Sequence, residues 1–162
     1  MANLSYWNGG VGINHGPAYQ VSGKPFVAGS VDCKNATAVT FPAVTRWVKI
    51  INKTPHPLRV GFSEKGVSGS LGTDVEGPST PYFTIAASGS MGSGLIGKYG
   101  ESDVLELKVS EVWIWGGDVA LDMSAGVDIV AGLTSIPSNR TNMDPSSATN
   151  VKPNWSGSAG VG

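Results

Sequence analysis

The sequence predicts an all-β sandwich, and three observations carry that reading. Apolar and polar residues alternate in runs of four to ten between residues 37 and 136, the period of a strand with one buried face. Glycine and proline, 23 and 10 of 162 residues, punctuate those runs as turn and loop formers. No window of a dozen residues free of Gly or Pro keeps the 3.6-residue apolar period of a helix.

The elements follow in order. Ala38–Phe41 is a short strand that Pro42 interrupts. Val44–Lys53 is β-branched and reads as buried on both faces for part of its length. In Leu58–Phe62, Leu58, Val60 and Phe62 face one way and Arg59 and Gly61 the other. Pro81–Ala87 sends Phe83 and Ile85 inward. Val104–Val109 sends Leu105, Leu107 and Val109 inward. Glu111–Trp115 follows at once and ends in a Gly116-Gly117 turn. Val119, Leu121 and Met123 alternate next, and Val127, Ile129, Ala131 and Leu133 make the last inward row. About eight short strands with turn-rich spacers suggest a sandwich or jelly roll, with strand order left open.

A chain of 162 residues fits one domain. Its expected parts are an extended N-terminal arm over 1–36, the sandwich over 37–136, and an extended, polar C-terminal arm over 137–162. Net charge is −1 and the 11 Lys and Arg are scattered, so the basic stripe of a nucleic-acid binder is missing. The single cysteine, Cys33, leaves no internal disulfide or CxxC metal site and reads as a small buried or half-buried residue. The first residues, MANLSYWNGGVGINHGP, have neither the basic nor the apolar region of a signal peptide. No stretch approaches the roughly 20 apolar residues that span a bilayer, so synthesis in a cytosol without membrane insertion is expected. Asn3, Asn35, Asn52, Asn139 and Asn154 fit N-x-[ST], which here reflects a loop composition rich in Ser, Thr and Asn.

Chemical motifs are weak. Gly92-Ser93-Gly94-Leu95-Ile96-Gly97 matches GxGxxG, but a strand follows where a dinucleotide site needs a helix N-terminus. Gly97-Lys98 is followed by Tyr99 and not by the Ser or Thr of a P-loop. His15 and His56 stand apart, with His56 between Pro55 and Pro57 in a turn. No G-x-S-x-G, H-E-x-x-H or His/Cys cluster occurs, and the carboxylates, Asp74 and Glu76 included, have no calcium-loop spacing. The sequence therefore predicts no catalytic residues, no metal and no cofactor. Its aromatic residues are more informative. Trp113 and Trp115 share one strand face opposite Val112 and Ile114, so both faces of that strand are apolar. Either one face fills a core and the other is open to a partner or a sugar, or Trp47, Trp113 and Trp115 all belong to the core. Trp7 and Trp155 add interface candidates in the two arms.

Five segments resemble one family. They are Arg46-Trp47-Val48-Lys49-Ile50-Ile51-Asn52, Leu58-Arg59-Val60-Gly61-Phe62-Ser63 with Gly66-Val67-Ser68-Gly69, Pro81-Tyr82-Phe83-Thr84-Ile85, Leu105-Glu106-Leu107-Lys108 and Val130-Ala131-Gly132-Leu133-Thr134. In this order they are similar to single jelly-roll capsid proteins of large icosahedral double-stranded DNA viruses, particularly those at the vertices. The likeness covers residues 44–136 and consists of strand patterns. It implies a structural, non-enzymatic vertex (penton) subunit in the virion capsid, made in the host cytoplasm. Such a subunit forms a homo-oligomer, a pentamer foremost, and its arms touch neighbouring major or minor capsid proteins. The alternative is a carbohydrate- or receptor-binding β-sandwich module, as in a spike, fibre or decoration protein.

Overall fold

The computed structural model describes residues 23–68, 82–89, 100–118 and 121–138. Among these residues the chain forms eight strands and one short helix. They are β1 (Lys24–Val31), β2 (Thr37–Thr40), β3 (Ala43–Asn52), β4 (Leu58–Gly61), α1 (Glu64–Ser68), β5 (Tyr82–Ile85), β6 (Gly100–Glu101), β7 (Glu111–Trp115) and β8 (Val127–Pro137). Two antiparallel four-stranded sheets result, ordered β1-β8-β3-β6 and β2-β7-β4-β5. The pairing is nested: β4 pairs β5, β3 pairs β6, β2 pairs β7 and β1 pairs β8. β3 also pairs β8 and β4 also pairs β7, which joins the nested pairs into sheets. The domain is thus an all-β sandwich.

Alternation in each strand decides what fills the space between the sheets. Val48, Ile50, Val127, Ile129 and Ala131 face inward from the first sheet; Val39, Leu58, Val60, Val112 and Ile114 meet them from the second. All are buried, and removing each aliphatic side chain of this size from water contributes about 1.5–3 kcal/mol. Phe26 and Phe41 meet edge to face, with ring centres 5.0 Å apart, and pack against the same cluster.

Several expectations change here. β1 lies inside the stretch read as an N-terminal arm, so the sandwich takes in Lys24–Val31 ahead of residue 37. Pro25 and Gly29 hide that strand; its inward residues are Phe26, Ala28 and, beyond a bulge, Val31, whose partners Ala131, Ile129 and Val127 lie about a hundred residues away. Val104–Val109 does not form a regular strand. It runs along β3 with Leu105 bridged to Val48, while the Thr45 hydroxyl donates to Leu107 O (2.7 Å) and accepts from Val109 N (3.2 Å). The buried Thr45 side chain thus adds to the backbone bonds that join this segment to β3, Val48 N to Leu105 O, Leu105 N to Val48 O and Thr45 N to Val109 O, while on its other edge β3 shifts register against β8 on either side of Thr45. Leu121 and Met123 lie in a loop, although Met123 is buried as an inward residue should be. Ile85 is buried, but Phe83 is 37% exposed. β6 and α1 went unforeseen because two and five residues are too few to show a period.

At the end of β3, Asn52 is fully buried and fully bonded. Its Nδ2 donates to His56 O (2.8 Å) and Ala86 O (2.9 Å), and its Oδ1 accepts from Thr54 N (3.0 Å) and Thr54 Oγ1 (2.7 Å). The N-x-[ST] match at Asn52 is thus a structural amide, closed to modification in the folded chain. Asn35 is exposed, and Asn3, Asn139 and Asn154 lie outside the described residues.

A β-bulge interrupts β1 between Ala28 and Val31, where Ser30 adopts φ +53°. Asp128 holds it, accepting from Ser30 N (2.8 Å) and pairing with Lys53 Nζ at 2.8 Å. The Lys53 ammonium foremost keeps the Asp128 carboxyl below its ordinary pKa; burial opposes it, and the Ser30 amide adds a smaller lowering. Folding lowers this pKa, so Asp128 stabilises the fold above the ordinary carboxylate range. That contribution is lost as pH falls through the lowered folded value. Asp128→Asn is expected to cost about 1 kcal/mol at neutral pH. In thermal melts the gap between variant and parent should close as acid protonates the parent's carboxylate; a gap constant with pH would contradict the assignment.

Cys33 is fully buried, and burial foremost, with Asp32 adding to it, pushes its thiol up to about 11. The thiolate is the reactive form, so Cys33 should resist maleimide in native buffer and label fully only in denaturant. Prompt native labelling would contradict this placement.

Candidate functional site

The outer face of the second sheet carries the chemistry. Val112 and Ile114 point into the core, which leaves Glu111, Trp113 and Trp115 of β7 on the opposite face, all half-buried. Register sets Trp113 beside Ala38 and Gly61, and Trp115 beside Arg59. Arg59 in turn pairs Thr84, and Gly61 pairs Tyr82. One face therefore presents two indoles, a phenol and a guanidinium, while Gly61 adds no side chain. Helix α1 packs against β4 and β7.

Arg59 is the centre of the arrangement. Its guanidinium carbon stands 4.7 Å from the Tyr82 ring centre and 5.0 Å from the Trp115 ring centre. A cation held by aromatic faces at such distances gains about 0.5–1 kcal/mol per contact when exposed, and loses much of its freedom to move. Its Nη1 donates to Val67 O at 3.4 Å. Gly117, at φ +87°, closes over the far edge, where a Cβ would stand 3.4 Å from Nε. The Gly116-Gly117 turn foreseen in the sequence thus has a second role, bringing backbone close to the guanidinium. Trp115 is anchored by its indole N–H, which donates to Lys34 O at 3.0 Å, and Trp113 bonds Glu111 Oε1 at 3.3 Å.

An open cleft of about 390 Å³ lies beside this group. Among the described residues, Pro57, Arg59, Tyr82, Thr84, Asp118 and Leu121 line it. They offer donors, a carboxylate acceptor, two hydroxyls and an apolar floor. Trp115 borders the cleft through Arg59; Trp113 stands apart from it. Trp7 and Trp155 lie outside the described residues, as do the GxGxxG stretch, His15, Asp74 and Glu76. Among the described residues no cluster of three His, Cys, Asp or Glu side chains could hold a metal ion, and no helix is long and apolar enough to cross a membrane.

Sequence reasoning singled out Trp113 and Trp115 but not Arg59, Tyr82 or Asp118. Alternation alone put Arg59 on the outer face. Nothing in the sequence joins it to Tyr82 and Trp115, because strand pairing across both flanks of β4 does so. No family model, characterised protein or solved structure matches the chain at a significant level.

Proposed function

We propose that the chain is a structural subunit of a virion shell: a single jelly-roll capsid protein that forms a ring at a vertex and contacts neighbouring capsid proteins through its terminal arms. The strand order is the observation that supports this most. Eight strands laid out as one antiparallel ribbon, the first four against the last four, and rolled into two facing sheets give β1-β8-β3-β6 over β2-β7-β4-β5. Jelly rolls are built this way, and viral capsid domains are among their main users. The outer face of the first sheet adds support. Register sets Pro25, Gly132 and Trp47 side by side, and likewise Val27, Val130 and Lys49, with Val27 67% exposed. Exposed apolar residues on a flat sheet suit a permanent contact between subunits.

The reading expects assembly and no catalysis. Light scattering behind a sizing column should give the full chain a mass of several times 16.7 kDa, five times for a pentameric ring. A compact monomer at high concentration, with no affinity for any capsid protein, would overturn it. A second reading, a carbohydrate- or receptor-binding sandwich, draws its support from the cleft beside Arg59.

A further inference from the structure

We infer that this cleft is a binding site for a neutral sugar, a hexose ring or a short neutral oligosaccharide. The inference rests on the second reading and is independent of whether the chain builds a shell. A sugar ring needs three things at once: an apolar or aromatic wall for its C–H face, donors for its ring and hydroxyl oxygens, and an acceptor for its hydroxyl hydrogens. The cleft brings these together from three separate parts of the chain. Pro57 and Leu121 supply apolar surface, and Tyr82 supplies a ring. Arg59 supplies donors in a fixed plane, and Thr84 and Asp118 supply a hydroxyl and a carboxylate.

Two features make the site more than a surface hollow. Arg59 is positioned in advance by two rings and the Gly117 backbone, so little freedom is lost when its donors engage a ligand. The volume, about 390 Å³, lies in the range of small-ligand sites, and the cleft is shallow and widely open, as the end of a longer glycan requires. Asp118, which lines the same cleft, sets the charge class. A carboxylated or sulfated sugar would gain from Arg59 but be repelled by Asp118, whereas a neutral polyol uses both.

The test is a glycan array carrying neutral, sialylated and sulfated oligosaccharides, followed by saturation-transfer NMR of the full chain with millimolar methyl hexosides. Neutral glycans should bind. Arg59→Met, which keeps an apolar stem beside the rings and removes the donors, should weaken binding at least about tenfold, with the chain still folded and its melting temperature lowered only by the lost ring contacts. Asp118→Asn provides a second variant in an exposed loop and should weaken binding in the same direction. Trp113→Phe should leave affinity unchanged, because Trp113 stands apart from the cleft. Binding confined to the acidic glycans would overturn the neutral class. So would silence in both assays, or neutral binding indifferent to Arg59→Met and Asp118→Asn. None of these results bears on the native mass, so the shell reading stands or falls separately.

Discussion

Asn52→Ala is expected to lower the free energy of unfolding by about 3 kcal/mol, read as a fall in the urea midpoint at unchanged slope. The side chain is buried and makes four hydrogen bonds, which tie the end of β3 to the following turn and to the backbone after β5. Truncation leaves Ala86 O, His56 O and Thr54 N without that partner, each at a cost of about 1 kcal/mol. Asn52→Asp should be no milder. It keeps the acceptor for Thr54 but loses both donors and places a charge where no water reaches. A loss below about 1 kcal/mol for Asn52→Ala would show that the loops hold without it.

Gly100→Ala should have an effect of similar size for a different reason. A Cβ on Gly100 would run into Ala86 O and stand 2.7 Å from Ala86 C, so backbone has to move. The pairing of β6 with β3 is only two residues long, Ile51 with Glu101 and Asn52 with Gly100, and has little to resist that movement. A cost of about 3 kcal/mol is expected, at the upper end of overpacking. Both substitutions act on the Ala86 carbonyl, so the double variant should lose less than the sum of the two. Gly23→Ala serves as a control: its Cβ meets nothing within 4 Å, and the change should stay within about 0.5 kcal/mol.

Most of the sandwich was legible because its long strands obey the two-residue period. Val127, Ile129, Ala131 and Leu133 were placed inward by alternation alone, and all four are buried. β1 escaped because its evidence lies in β8, a hundred residues on. The segment after residue 102 has the right pattern but only scattered backbone bonds to β3, which the Thr45 hydroxyl supplements. The site was legible in part. Trp113 and Trp115 could be assigned to one shared face from one strand, with outer or core left open, yet the ring-flanked Arg59 needs β5 on one side and β7 on the other. Which strands become neighbours is set by the nested pairing, and the local pattern carries no trace of it.

The placement of β8 between β1 and β3 is what the cleft's sheet partners and the proposed function have in common with the rest of the fold: one nested winding of eight strands. Cysteine pairs on the outer face test it directly. Val27 pairs Val130, and Val130 pairs Lys49, on three adjacent strands. Neighbouring strands lie about 4.8 Å apart, within disulfide reach, whereas strands two apart, nearly 10 Å, lie beyond it. Under mild oxidation, with buried Cys33 left in place, the variant carrying Val27→Cys and Val130→Cys should form an internal disulfide, seen by intact mass. The variant carrying Val27→Cys and Lys49→Cys should keep both thiols. A disulfide in the second variant and free thiols in the first would place β1 directly beside β3 and contradict the nested order.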